Sequence, residues 1–281
     1  MPELPEVETI RRDLEKEICQ TKITGIDCNT ERMVFPSVDF IRRVAVGKEI
    51  LSVKRRGKLL LIDLKDSDYH LFVHLKMTGR LFVKSNDEFS DPYTRIRITL
   101  VDITGNNKEI RFSDARKFGY IRAVHRKQIG EEFANFGPEP FNGLTERVLR
   151  EIVRSSKRPI KTLLLDQRKI AGIGNIYANE ALFTAGISPN TLSKKLSDTE
   201  IKGLFKAIES VLTEGIEKRG ASDNTYRDIY GEKGSYQNYY RVYRRVGEKC
   251  RRCGTNIKRV VIAGRGTFVC PNCQMSEGVK K

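Results

Sequence analysis

No apolar run in the chain approaches the roughly 20 residues that cross a bilayer, so no membrane-spanning helix is expected. The first residues, Met1-Pro2-Glu3-Leu4-Pro5-Glu6, carry two carboxylates and no basic stretch, and they do not read as a secretory signal. Internal repeats and low-complexity tracts are absent. Acidic residues are in short supply, with 36 Asp and Glu against 52 Lys and Arg, a formal charge of +16. That imbalance points to a polyanionic partner, nucleic acid before an anionic membrane surface. Cysteine is scarce as well. Of six, only Cys19 and Cys28 lie outside two C-x-x-C pairs, and they read as plain structural thiols. Without an export signal the pairs read as metal ligands before disulfides.

What is present suits a soluble globular protein of about two domains: 281 residues, 39% hydrophobic and 31% charged. Pro5 in a first helical turn and the stripe Val7, Ile10, Leu14, Ile18 predict a helix over 5–18. From residue 49 the pattern changes to short strands, over 49–55, 58–64, 69–75, 80–84, 95–101, 109–112 and 120–124, with Arg56-Gly57 as a hairpin turn. So many short strands in one block argue for a sandwich or barrel. Phe136-Gly137-Pro138-Glu139-Pro140 reads as a linker. Beyond it helices are expected around Val148–Val153, over 176–183 with Asn175 as N-cap, and over 198–218 behind the capping box Ser197-Asp198-Thr199-Glu200.

Cys250-x-x-Cys253, 16 residues, then Cys270-x-x-Cys273 has the spacing of a closed four-thiolate zinc site, which leaves no position open for catalysis. Between the pairs, 258–262 and 266–269 read as a hairpin with Arg265 at its tip. From residue 219 to 281 there are 14 Lys and Arg against 5 Asp and Glu, with Tyr236, Tyr239, Tyr240 and Tyr243 interleaved. Basic side chains neutralise phosphates, and tyrosines add contact area and hydroxyl donors. A solvated basic face is the plainer alternative. Gly172-Ile173-Gly174-Asn175 ahead of a helix, with Lys157, Arg158 and Lys161 upstream, suits an anion site, or a helix cap that binds nothing.

Proline at position 2 allows the initiator methionine to be removed, leaving a secondary amine. An α-amino group titrates at about 7.7–8.0, so part of it is neutral near pH 7. Attack of such an amine on a sugar C1′ gives an iminium ion that is cationic without a proton, a good electron sink for elimination. Glu3 and Glu6 stand beside it as acid and base candidates.

These motifs carry a family resemblance. Met1-Pro2-Glu3-Leu4-Pro5-Glu6-Val7-Glu8 is similar to the N-terminal signature of the formamidopyrimidine-DNA glycosylases. Asp166-Gln167 with Ala171-Gly172-Ile173-Gly174-Asn175-Ile176-Tyr177 resembles their helix-two-turns-helix element. Gly264-Arg265-Gly266-Thr267-Phe268-Val269-Cys270-Pro271-Asn272-Cys273 resembles their zinc-finger tip, and Phe136–Pro140 their interdomain stretch. The four lie in the family's order from residue 1 to about 274.

The resemblance implies an α+β chain: a catalytic β-sandwich with a leading helix over 1–135, a linker over 136–142, a helix-two-turns-helix domain with a lesion-capping loop over 143–245, and a zinc-finger hairpin over 246–281. It implies a bifunctional glycosylase and apurinic/apyrimidinic lyase of base excision repair. The enzyme would excise oxidised purines (8-oxoguanine, formamidopyrimidines) and nick by β,δ-elimination. Pro2 would be the nucleophile, Glu3 the acid that opens the sugar, Glu6 its support, and Lys58 the general acid in elimination. Arg265 would hold phosphates and assist the second elimination. Lys157, Lys161, Asn175, His74 and Tyr243 would grip phosphates. Met77, Arg116 and Phe118 would fill the hole left by the flipped base, although on residue type alone Met77 and Phe118 read as core. One structural Zn²⁺, damaged duplex DNA as partner, no membrane, a monomer, and a cytoplasmic, nucleoid-associated location complete the expectation.

Two departures stand out. The capping loop reads Arg219-Gly220-Ala221-Ser222-Asp223-Asn224-Thr225-Tyr226-Arg227-Asp228 where relatives often have Gly-Gly-Ser-Thr-hydrophobic-Arg. That places Asp223 and Asp228 beside the expected pocket, so formamidopyrimidine excision is expected to depend on this loop less than 8-oxoguanine excision. A family histidine is replaced near Tyr93-Thr94-Arg95. Rival readings are the same chemistry on oxidised pyrimidines, as in endonuclease VIII, and a catalytically inactive zinc protein that binds DNA. A ribosome-associated zinc protein would share the charge but would not explain the N-terminus. Leu4, where endonuclease VIII tends to have glycine, favours the first family.

Overall fold

The computed structural model describes residues 1–85, 91–223 and 225–274. The chain divides into two compact units, Met1–Ala134 with Lys218–Gln237, and Asn135–Glu217 with Asn238–Lys281. This partition differs from the expected one: the segment read as a loop of the helical domain belongs to the first unit, and the zinc hairpin shares the second unit with the helices.

The first unit opens with α1 (Leu4–Ile18). Its start is fixed by a capping box in which the Glu6 carboxylate accepts the Glu3 N–H at 2.7 Å and Glu3 returns the bond to the backbone of Glu6. Val7, Ile10, Leu14 and Ile18 are all buried, as their spacing demands. There follow β1 (Lys22–Cys28), β2 (Val34–Phe35), α2 (Val38–Ala45), β3 (Ile50–Arg56), β4 (Leu59–Leu64), β5 (Tyr69–His74), β6 (Arg80–Ser85), β7 (Thr94–Val101), β8 (Asn107–Ser113), β9 (Tyr120–His125) and the short α3 (Ile129–Phe133). One sheet runs β1-β7-β8-β6, all antiparallel, and the other β2-β9-β5-β4-β3, antiparallel except at β2. Alternate residues of both sheets, among them Ile62, Val73, Leu81, Ile98 and Phe112, meet Ile10 and Leu14 of α1 in one hydrophobic cluster. Each such fully buried side chain contributes about 1.5–3 kcal/mol. Cys19 and Cys28 pack at the edge of this cluster, and burial pushes both thiols up, as befits unreactive structural cysteines.

Two loops on this scaffold matter for function. One, residues 75–79, joins β5 to β6, and the other, 114–119, joins β8 to β9. Both end in a glycine against the same ring. A Cβ on Gly79 would stand 2.8 Å from Phe112 and one on Gly119 2.5 Å, so only glycine lets the loops close there.

The second unit holds α4 (Glu146–Arg154), α5 (Ile160–Leu164), α6 (Asn175–Thr184), α7 (Asp198–Glu217) and the hairpin β10 (Lys258–Ile262) and β11 (Arg265–Val269). The capping box before α7 is formed as expected, with Ser197 N–H on Glu200 Oε2 at 2.7 Å and Glu200 N–H on Ser197 Oγ at 3.2 Å. Phe136–Pro140 is no free linker. Gly137 N–H bonds the Gln167 carbonyl at 2.9 Å, and a Cβ on Gly137 would meet the Lys169 backbone at 2.4 Å.

Candidate active site and nucleic-acid interface

In the first unit the N-terminus leads directly into α1. Pro2, Glu3 and Glu6 are buried behind an exposed Met1. The first two turns of α1 are locked to the β3–β4 hairpin by Glu8, whose carboxylate accepts from Arg55 at 2.9 Å in a largely buried pair. Arg55 also donates to the Gly57 carbonyl at 2.9 Å. Gly57, at φ 58, and Lys58 form the two-residue turn of that hairpin, because Arg56 pairs with Leu59. Glu8 and Arg55 thus tie the helix that starts behind Pro2 to the turn that carries Lys58, itself only 8% exposed. His74 closes β5. Burial, then the ammonium groups of Lys76 and Lys58, push its pKa down to about 3, so the ring is neutral. Its Nδ1 accepts the Lys76 N–H at 2.9 Å, which leaves Nε2 to carry the proton.

Met77 and Phe118 are 45% and 51% exposed, large apolar side chains held in solvent rather than in the core. The Arg116 guanidinium joins them, its Nη1 3.3 Å from Met77 Sδ and its Cζ 4.6 Å from the Phe118 ring centroid. The three side chains that a resemblance grouped are grouped in space.

The segment 218–237 lies against α1. Ala221 N–H donates to Glu6 Oε1 at 2.8 Å, so Glu6 serves both its own helix and the loop. Arg219 bridges two buried carboxylates, Asp13 at 2.5 Å and Asp228 at 2.6 Å. Asp228 also accepts the Tyr230 and Glu232 N–H groups. It is therefore saturated within the protein and does not offer a carboxylate to a base, which corrects the expectation for this residue. Asn224 lies outside the described residues.

In the second unit the hairpin is strapped to the helices. Lys161 is 1% exposed, its ammonium on the Gly266 carbonyl at 3.0 Å and the Thr267 hydroxyl at 2.7 Å. It orders the hairpin instead of standing in solvent as a phosphate hand. Asn175 is the first residue of α6, not its cap, which is Gly174. Its amide donates to the same Gly266 carbonyl at 3.1 Å, and Asn179 Oδ1 accepts the Phe268 N–H at 2.8 Å. Ile262 pairs with Arg265, so the hairpin tip is Ala263-Gly264 and Arg265 begins the returning strand, exposed. Lys157 is exposed as well. Of the interleaved tyrosines, Tyr236 and Tyr240 are core residues. Tyr243 is half-buried, its ring 4.9 Å from that of Phe268.

The four thiolates of Cys250, Cys253, Cys270 and Cys273 lie within 4.8 Å of one another, with Cys250–Cys273 at 3.9 Å and Cys253–Cys270 at 3.4 Å. Sulfurs around a tetrahedral zinc, at Zn–S of about 2.3 Å, stand about 3.8 Å apart, so the residues fit one ion. Arg252 N–H on Cys250 Sγ and Cys273 N–H on Cys270 Sγ, both at 3.4 Å, are the backbone donors such thiolates take.

The family model described as the formamidopyrimidine-DNA glycosylase N-terminal domain matches residues 1–121. The model of that enzyme's H2TH domain matches 136–226, and the zinc finger found in FPG and IleRS matches 247–274. A formamidopyrimidine-DNA glycosylase of Chloroflexus aggregans is 42% identical over 98% of this chain and 99% of its own. The chain belongs to the formamidopyrimidine-DNA glycosylase family. A Listeria monocytogenes member is 39% identical over 98% of this chain and all of its own. Among solved structures, Lactococcus lactis Fpg in complex with DNA containing an abasic site superposes with a TM-score of 0.90. It is 36% identical and covers 98% of this chain and 100% of that one. MutM in complex with DNA containing carbocyclic 8-oxo-G gives the same TM-score, identity and coverage.

Within this glycosylase fold the sequence reading missed residues that act through others. Glu180 is wholly buried and accepts three consecutive N–H groups, from Arg241 at 2.8 Å, Val242 at 3.0 Å and Tyr243 at 2.9 Å. Burial pushes its carboxyl up against the pull of those donors, and the arrangement fixes where Tyr243 stands. Asp114, Asp13 and Arg219 were also missed. A lone carboxylate in a loop or on a helix carries no periodic signal.

Proposed function

We propose that this chain excises oxidised purines from duplex DNA through an N-terminal proline amine, and then cleaves the strand. The observation that carries the reading is the N-terminus: a secondary amine, once Met1 is removed, buried beside two carboxylates that cap one helix. The amine attacks C1′ of the damaged nucleotide as the base departs. Glu3 protonates the ring oxygen of the deoxyribose and opens the sugar. The iminium accepts the electrons released when the C2′ proton leaves, the 3′ phosphate departs, and a second elimination releases the 5′ phosphate. Lys58 serves as acid in elimination, and Glu6 holds Glu3 in place through the Glu3 N–H. His74 donates from Nε2 to a phosphate. Arg265, Lys157 and Tyr243 bind phosphates, while Lys161 and Asn175 act by aiming the hairpin. Met77, Arg116 and Phe118 occupy the space that the flipped base vacates. Zinc, when bound, holds the hairpin together and takes no part in the chemistry. The enzyme works as a monomer in the cytoplasm; among the described residues no helix is long and apolar enough to cross a membrane.

Borohydride trapping tests the reading. A protein with Met1 removed should be captured on abasic or 8-oxoguanine duplex through Pro2, and one that retains Met1 should not. Glu3→Gln should lose base excision while keeping much of its cleavage of a preformed abasic site. Full trapping with Met1 in place would rule the mechanism out.

A further inference from the structure

We propose that Asp114 is the positioning residue of the duplex-opening wedge, a buried carboxylate that sets Met77, Arg116 and Phe118 in working order before DNA arrives. The proposal rests on the wedge reading of those three side chains.

The wedge is carried by two loops from different strand connections, and each is strained in the same place. Lys76, just before Met77, has φ 52, and Lys117, just before Phe118, has φ 57. Both are in the left-handed region that side chains with a Cβ resist. Such a conformation persists only where the surroundings over-determine it. Asp114 supplies that constraint in its own loop and shares it in the other with His74, whose Nδ1 takes the Lys76 N–H. Its Oδ2 accepts the Phe118 N–H at 2.9 Å and the Gly119 N–H at 2.7 Å. Its Oδ1 accepts the Arg116 N–H at 3.0 Å and, across the gap, the hydroxyl of Thr78 at 2.5 Å. Thr78 is the neighbour of Met77. One side chain therefore holds three donors of its own loop and one of the other.

Asp114 is fully buried, and it is anchored from outside the wedge as well: Arg95 Nε donates to its backbone carbonyl at 3.2 Å. Burial alone would raise its pKa, yet the bonds from Thr78, Gly119, Arg116 and Phe118 hold it below the usual carboxylate range. The ionised form is the one the site selects, because four donors need the lone pairs of two charged oxygens. An asparagine offers one carbonyl oxygen to those four and turns an NH₂ against the rest. On the wedge side, Arg116 is already in contact with both Met77 and Phe118 without DNA. A wedge ordered in advance loses less conformational freedom when it enters the base stack.

The test separates duplex opening from chemistry. Opening is read by stopped-flow fluorescence of 2-aminopurine placed next to 8-oxoguanine, excision by single-turnover rates on the same duplex, and elimination by cleavage of a preformed abasic site. Asp114→Asn should slow opening and excision by about tenfold or more, the scale expected for charge-assisted hydrogen bonds. Thr78→Val removes only the bond between the loops and should slow both by about threefold. Cleavage of the abasic site, where no base must be displaced, should stay within about twofold of the parent in both variants. Unchanged opening in Thr78→Val, or excision and abasic-site cleavage falling by one common factor, would overturn the proposal. If Asp114→Asn fails to fold, Thr78→Val decides. Phe118→Ala is run alongside: if it leaves opening unchanged, the wedge reading itself is wrong and the proposal falls with it, whereas slow opening in Phe118→Ala with normal opening in both other variants rejects Asp114 alone.

Discussion

His74 shows how one ring can be kept in a single charge state by its neighbours. Its pKa in the folded protein is about 3, against an ordinary value of 6.5, because it is buried and faces the ammonium groups of Lys76 and Lys58. Above pH 6.5 neither the folded nor the unfolded chain holds a proton there, and the group contributes no slope. Between 6.5 and about 3 the unfolded chain binds a proton that the folded one does not, so stability falls as pH falls, and the loss is complete below the folded value. His74→Asn, whose side-chain oxygen can still accept the Lys76 N–H, should flatten the dependence of urea-unfolding free energy on pH between 6 and 4 by up to about one proton's worth. Equal slopes in parent and variant would mean that the ring titrates normally. Nothing in the sequence around His74 announces this state. It depends on Lys58, 16 positions away, and on burial that only the β5 register sets.

At the scale of elements, the zinc hairpin depends on two independent supports. The thiolates hold its base, and Lys161, Asn175 and Asn179 hold its returning strand. Lys161→Met keeps the volume but leaves the Gly266 carbonyl short of a donor and the Thr267 hydroxyl without its lysine partner, a cost of about 1–3 kcal/mol. The variant should retain its zinc and still lose duplex affinity, much as Arg265→Ala is expected to. Chelation or Cys250→Ser should lose zinc and affinity together. Normal binding by zinc-loaded Lys161→Met would show that the strap is not needed. Most elements here were readable: the alternation of β3 to β9, the stripe of α1, and the capping box of α7 all fall within a few residues of their predicted bounds. β1, β2 and α2 were not. A register shift between Ile23 and Gly25 breaks the two-residue period of β1, β2 is only two residues long, and α2 is an eight-residue helix with Ile41 and Ala45 as its only buried positions. The loops that carry Met77, Arg116 and Phe118 were legible as motifs, but Asp114 was not, since its place is a matter of which N–H groups turn toward it.

For the whole molecule, the main fact is that the first unit is discontinuous. Residues 1–134 alone would leave Glu6 and Asp13 without the Ala221 N–H and the Arg219 guanidinium, and would open the core where Tyr226 and Ile229 sit. A buried carboxylate that loses a donor is costly. A chain of 1–134 should therefore unfold at markedly lower urea than the same chain carrying 218–237 through a short glycine–serine link, as followed by far-ultraviolet circular dichroism. Equal midpoints would show the second stretch to be a passenger.

The same discontinuity imposes an order on synthesis. A ribosome adding about 5–20 residues per second needs roughly 5 to 20 s to pass from residue 134 to residue 237. Throughout that interval the sandwich waits with α1 facing an absent partner, and Glu6, which caps that helix, still lacks the Ala221 N–H. The nascent chain is therefore a repair enzyme that cannot yet be finished, and the penalty for a defect in 218–237 falls on how many molecules mature as well as on how fast each one works.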